Sequence, residues 1–202
     1  MKNAVMRAVI KRAAMKNALP LAKGLTAGAL GGLAASWVMN QFQNWLSEAV
    51  SVNGGKPHGA QAVQKGSPEH GAGAYLSRRG LDEEADNAAE RTANLVSSSL
   101  LDHRLTESEK KAFGTAVHYT FGATTGAIYG LSAELSSKCA VGFGLPYGAA
   151  IWLFADEGLV PALGLSRPPH KYPLKQHAIA LTSHLVYGLS ADVARRVIRA
   201  AL

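Results

Sequence analysis

A single cysteine, Cys139, stands in a chain of 202 residues. No disulfide can close within the chain, and the thiol reads as an ordinary buried or interfacial group. Acidic residues are missing from the first 47 positions, and ten of the fourteen fall between Glu48 and Glu109. No phosphate-cradling glycine loop, catalytic serine motif or haem-attachment pair is present. The Glu-x-x-His and His-Glu-x-x-His spacings of di-iron and zinc helices are also absent, so no metal ligand set is assigned and no cofactor is implied. Stacking aromatics interleaved with basic residues are lacking too, which argues against nucleic acid despite a formal charge of +7. The basic residues instead flank apolar segments at the two ends of the chain, as at an anionic lipid surface.

What the chain has in quantity is glycine, 21 residues concentrated in the apolar stretches. Every fourth position of the stretch 112–135 reads Gly114, His118, Gly122, Gly126, Gly130, Glu134, which stacks them on one helical face. Segment 21–46 repeats the device with Gly24, Gly28, Gly32, Ser36 and Asn40. In a soluble helix each glycine costs about 1 kcal/mol relative to alanine. In lipid, rows of small residues are how helices pack. The spacing therefore predicts that Gly122, Gly126 and Gly130 meet Gly24, Gly28 and Gly32 at backbone distance, within one chain or across a homodimer.

In order, residues 1–23 read as a basic amphipathic segment on anionic lipid, with a mitochondrial presequence as the rival. Residues 24–46 form a first membrane span, ending at the aromatic residues Trp37, Phe42 and Trp45. Residues 47–111 form an outer-side loop with a helix near 82–101. Its stretch 53–80, which holds His58 and His70, reads as a mobile loop with surface histidines. Thr106 and Glu109 make a capping box that starts the next helix. Residues 112–202 supply three further spans and a basic C-terminus; Pro146 is expected to kink the third span and Pro161 to end it. The expected fold is thus all-α, an integral membrane bundle of four transmembrane helices with glycine-rich seams. Ten basic residues on one side of those spans against three on the other put both termini in the cytoplasm.

The four acidic residues outside the long loop, Glu134, Asp156, Glu157 and Asp192, sit in or at the ends of apolar segments. A charge at mid-membrane costs about 2.5–3.5 kcal/mol even on lenient scales, so such residues pair or mark pathways. Counting turns puts His118, Asp156, Glu157 and His184 in one outer layer and Glu134 with Asp192 in an inner one. Asp156 is expected to pair with His184 and Glu157 to turn toward the Gly122 helix or a water-filled pocket. The pattern His-x-x-aromatic-Gly occurs at His118 and again at His184, which suggests two hairpins related by a parallel repeat.

The stretches HYTFG, GAIYGLSAE, GLPYGAAIWLFADEGLVPALGLS and HLVYGLSADVARR, with GLTAGALGGLAASWVMNQ, resemble the YagU-like family of bacterial inner-membrane proteins of unknown function. That resemblance implies an integral inner-membrane protein and supplies no reaction. Three functional readings follow: a protein handling protons or ions through its polar layers, a membrane scaffold or accessory subunit whose His–carboxylate pairs are structural, and a membrane-embedded metal-binding protein or enzyme. The expected partners are the bilayer, anionic lipid at the basic termini, and a second copy or another membrane protein.

Overall fold

A computed structural model of the protein describes residues 2–52, 70–79 and 86–202, with side chains for 18–49, 70–71, 75–79 and 86–202. His58, the loop around it and the first residues of the helix expected near 82–101 lie outside the described residues, as do the side chains of most of the basic N-terminal segment. The elements are α1 (Lys2–Val52), α2 (Gly71–Arg78), α3 (Ala88–Leu100) and α4 (Glu107–Leu135). After a 3-10 turn (Ser137–Ala140) come α5 (Leu145–Ile151), a π-helical stretch (Trp152–Leu159), α6 (Val160–Ala162), a 3-10 turn (Pro169–Lys171) and α7 (Leu174–Ala201). Every described element is helical.

Local chemistry explains most boundaries. The Thr106 side chain accepts from the Glu109 N–H while Glu109 accepts from the Thr106 N–H, closing the capping box at the head of α4. Asn87 and Glu90 do the same for α3, a second box that the sequence reading did not single out. Segments 1–23 and 24–46, read as separate, run through one continuous helix with Pro20 inside it. Pro146 does not kink a span. It lies in the first turn of α5, where no intrahelical N–H is needed, and Gly144 before it takes a left-handed φ of 79°. The irregularity falls later, in the π-helical stretch.

Among the described residues only α1, over Ala18–Ala49, is both long and apolar enough to cross a membrane. The other expected spans fall short in two ways: α4 and α7 carry Gly, Thr, Ser, His and Tyr along their length, and the third is divided among α5, the π-helical stretch and α6.

α1 packs against both α4 and α7, α5 against α7, and α3 across α4. Gly24 faces Gly130 and Glu134, Gly28 faces Gly126 and Gly130, and Gly32 faces Gly122 and Gly126, so α1 and α4 are antiparallel. A Cβ built on Gly28 would lie 2.8 Å from the Gly130 Cα, and one on Gly126 would lie 2.6 Å from the Gly32 Cα. A second seam joins α5 to α7, where a Cβ on Gly188 would lie 2.9 Å from the Gly148 nitrogen. Gly31, outside the four-residue row, admits α7 at Ala191 and Arg195. The result is two antiparallel glycine-closed hairpins, α1–α4 and α5–α7, with α4 and α7 parallel. The apolar core between them is small: Ala35, Met39, Ile151, Ala155, Tyr187 and Ala191.

Candidate functional site

Between the hairpins, beneath the start of α3, lies a cavity of about 350 Å³. α1 contributes Ser36, Met39 and Gln43, and α4 contributes His118, Gly122 and Thr125. Asp156 comes from the π-helical stretch and His184 and Tyr187 from α7. The cavity reaches the surface at Lys111 and Thr115, which are exposed. Gly114 allows the close approach of α3 here, since a Cβ there would lie 2.9 Å from the Glu90 Cγ.

Three of the four residues read as an outer layer, His118, Asp156 and His184, line this one cavity. His184 Nε2 is 3.7 Å from Asp156 Oδ2, within ion-pair range but beyond a hydrogen bond. Its Nδ1 is 2.9 Å from the Ala180 carbonyl oxygen. A carbonyl only accepts, so Nδ1 carries a proton and Nε2 is the nitrogen that faces Asp156. His118 Nε2 and Ser36 Oγ are buried with no hydrogen-bond partner among the described residues.

Glu157 does not turn to the Gly122 helix; with Arg167, Tyr172 and His177 it lines a small pocket of about 10 Å³. Its Oε1 lies 2.6 Å from His177 Nδ1, while His177 Nε2 donates to the Pro169 carbonyl at 3.1 Å. In an α-helix, adjacent side chains stand about 100° apart. The wider π turn lets both face α7, Asp156 toward His184 and Glu157 toward His177. Because Nε2 must hold a hydrogen to reach a carbonyl, the Glu157–His177 contact shares one further proton. This pair anchors the proline loop, where the Arg167 N–H donates to the Tyr172 hydroxyl at 3.1 Å and burial pushes the Tyr172 phenol up from its ordinary value.

The residues read as an inner layer do not meet one another. Asp192, fully buried, accepts from Arg195 at 2.8 Å, Arg196 at 2.7 Å and the Tyr129 hydroxyl at 2.9 Å. Glu134 accepts from Arg199 at 2.6 Å. The charges needed to neutralise both acids come from the basic run at the end of α7, which sequence reading had counted only for orientation.

Between the two layers stands a group of tyrosines that the sequence reading passed over. Tyr187 donates to the Gly122 carbonyl at 2.7 Å and lies 2.9 Å from Thr125 Oγ1. Tyr147 donates to the Thr125 carbonyl at 2.6 Å, and its ring lies 4.6 Å from that of Tyr129. The layers are thus not joined along the glycine seams; a tyrosine plug separates them. A signal was available: Tyr-Gly-Leu-Ser-Ala followed by an acid occurs at 129–134 and again at 187–192. In both copies the tyrosine is buried, the glycine touches a facing helix and the acid meets an arginine.

Outside the bundle, His70 is exposed and its Nε2 donates to the Pro161 carbonyl at 3.0 Å. Arg91 is fully buried and donates to the Leu165 carbonyl at 3.3 Å, tying α3 to the loop after α6. Lys110 is buried between Asp86 at 3.4 Å and Glu107 at 2.7 Å. Among the described residues no cluster of three or more His, Cys, Asp or Glu side chains could hold a metal ion.

No curated protein and no solved structure matches the chain. Residues 96–193 match the model of a protein family described as "Protein of unknown function (DUF1440)", and so the stretch carrying His118, Asp156, Glu157, His184 and Asp192 is similar to a family whose function is unknown.

Proposed function

We propose that the protein is an integral membrane bundle that takes protons or cations from one side into its outer cavity. The four spans of this reading lie within α1 (residues 24–46), α4 (from residue 112 on), the α5-to-α6 segment and α7, with both termini on the cytoplasmic side of a bacterial inner membrane. Its support is an inverted distribution of polarity. Ser36, Gln43, Ser183, His184, Asp192 and Arg195 are buried, while Trp37 (57% exposed), Phe121, Leu153, Phe154 (73%), Leu189 and Val193 face outward. Water would reverse that arrangement, whereas lipid satisfies it. The inner arginines suit anionic headgroups; Arg196, half exposed, lies over the exposed Phe143 ring.

The observation that carries the functional part is the His184–Asp156 pair beside His118 in a cavity that reaches the surface. Purified protein in liposomes with an entrapped pH dye should pass protons or a cation down an imposed gradient, and Asp156→Asn should stop it. Wild-type vesicles no more permeable than empty ones would refute the reading. The scaffold alternative draws on the inner half, where every acid is matched by arginine and the tyrosine plug closes the interior.

A further inference from the structure

We propose that the outer cavity binds a small organic cation, an ammonium group on an apolar body, and that its binding displaces a proton from the His118–His184 pair. The inference rests on the one-sided cavity of the preceding reading and names what that cavity accepts.

Size comes first. A volume of about 350 Å³ falls in the range of roughly 300–1,000 Å³ typical of sites for organic ligands. A water molecule's share of the liquid is only about 30 Å³, so a proton or a bare metal ion would leave most of the space unused. The walls are also of two kinds. Met39 and Ile151 give an apolar side, and Asp156, His118 and His184 a polar one. An inorganic ion has no use for the first; an alkyl chain does.

Charge fixes the sign of the guest. The fixed charges lining the cavity are Asp156, Glu90 and Lys111, a net −1 with both histidines neutral and +1 with both protonated. α1 contributes no charged group, and the other acid–base pair nearby, Glu157 with His177, is turned to the proline loop. Glu90 is partly engaged, since it accepts from the Asn87 N–H. Asp156, whose carboxylate faces His184 across the cavity, is the anchor. His184 Nε2 points at the same carboxylate from 3.7 Å, and the proton it would carry occupies the place an ammonium needs. In the exchange the imidazolium N–H bond breaks, the proton leaves to water and the cation takes its place at Asp156. Occupancy by one excludes the other, so binding and protonation are linked reciprocally.

The test is calorimetric titration of the full chain in detergent with butylammonium chloride, at pH 8 and pH 5.5, in two buffers of different ionisation heat. We expect saturable binding at pH 8, and at pH 5.5 at least tenfold weaker binding accompanied by proton release. Sodium chloride and n-butanol should give no comparable signal. Asp156→Asn should abolish binding while eluting as wild type does. His118→Gln should bind with less proton release, which keeps the proposal testable should Asp156→Asn fail to fold. Absence of butylammonium binding at pH 8, equal binding of sodium or n-butanol, or an affinity independent of pH would overturn it. Binding without vesicle flux would refute only the transport reading; flux without butylammonium binding would refute only this one.

Discussion

Adding one methyl group to Gly126 tests the α1–α4 seam directly. The new Cβ would lie 2.6 Å from the Gly32 Cα and 2.8 Å from the Gly32 nitrogen, and would overlap the Gly28 carbonyl oxygen. Ordinary carbon–carbon contact is about 3.5–4.0 Å, so the helices must move apart by about 1 Å at that point. Two effects then compete. Alanine favours the helix by about 1 kcal/mol over glycine. Overpacking typically costs about 1–3 kcal/mol, and a gap of 0.5–1 Å forfeits a quarter to a half of each neighbouring contact. Because the helices are stiff, that loss spreads to the Gly24–Gly130 and Gly32–Gly122 contacts. We expect Gly126→Ala to lose ~1–2 kcal/mol net, a fall of roughly 2–8 °C in the thermal midpoint of the detergent-solubilised protein. Gly126→Leu should go further and prevent assembly. Gly158→Ala is the control, since its Cβ would meet only the Leu153 carbonyl oxygen at 3.4 Å. If Gly126→Ala melts at or above the wild-type temperature, the glycines are not there for close approach and the seam argument fails.

Asp192→Asn removes the buried carboxylate that holds Arg195, Arg196 and Tyr129. Leaving buried charge unmatched costs ~3–5 kcal/mol, so the variant should unfold at markedly lower temperature or denaturant, and an unchanged midpoint would deny the cluster a structural role. At the other end, Thr106→Ala should cost about 1 kcal/mol by opening the head of α4, read as faster amide exchange over its first turn. Hydrogen bonds from the Thr106 backbone and hydroxyl hold the Glu109 carboxyl below its usual value. A lowered folded value means that this contribution is full above the ordinary glutamate range and fades as pH falls through the lowered one. Amide protection there should drop on acidification in the wild type and only somewhat less in Thr106→Ala, which keeps the backbone N–H bond to Glu109.

The helical fold, the row of glycines on 24, 28 and 32 and its counterpart on 122, 126 and 130 were legible in the sequence, because periodicity and side-chain size are local properties. So was the capping box at Thr106, and so was Asp156 as the nearer partner of His184. Pairing between rows was legible only as a complementarity; the fold decided that the two rows close on each other within one chain, which leaves neither to a second copy. The π-helical stretch was not legible, since nothing in Trp-Leu-Phe-Ala-Asp-Glu-Gly-Leu departs from an α-helical composition. Yet that one change of winding carries Glu157 around to His177. Likewise the acids at 134 and 192 could be placed at one depth by counting turns, but depth says nothing about direction. Tertiary packing aimed each at its own arginine and set three tyrosines between them and the cavity. Sequence fixes which groups share a face and a level; only the rotation of each helix about its own axis, set by packing against the others, decides which of those groups meet.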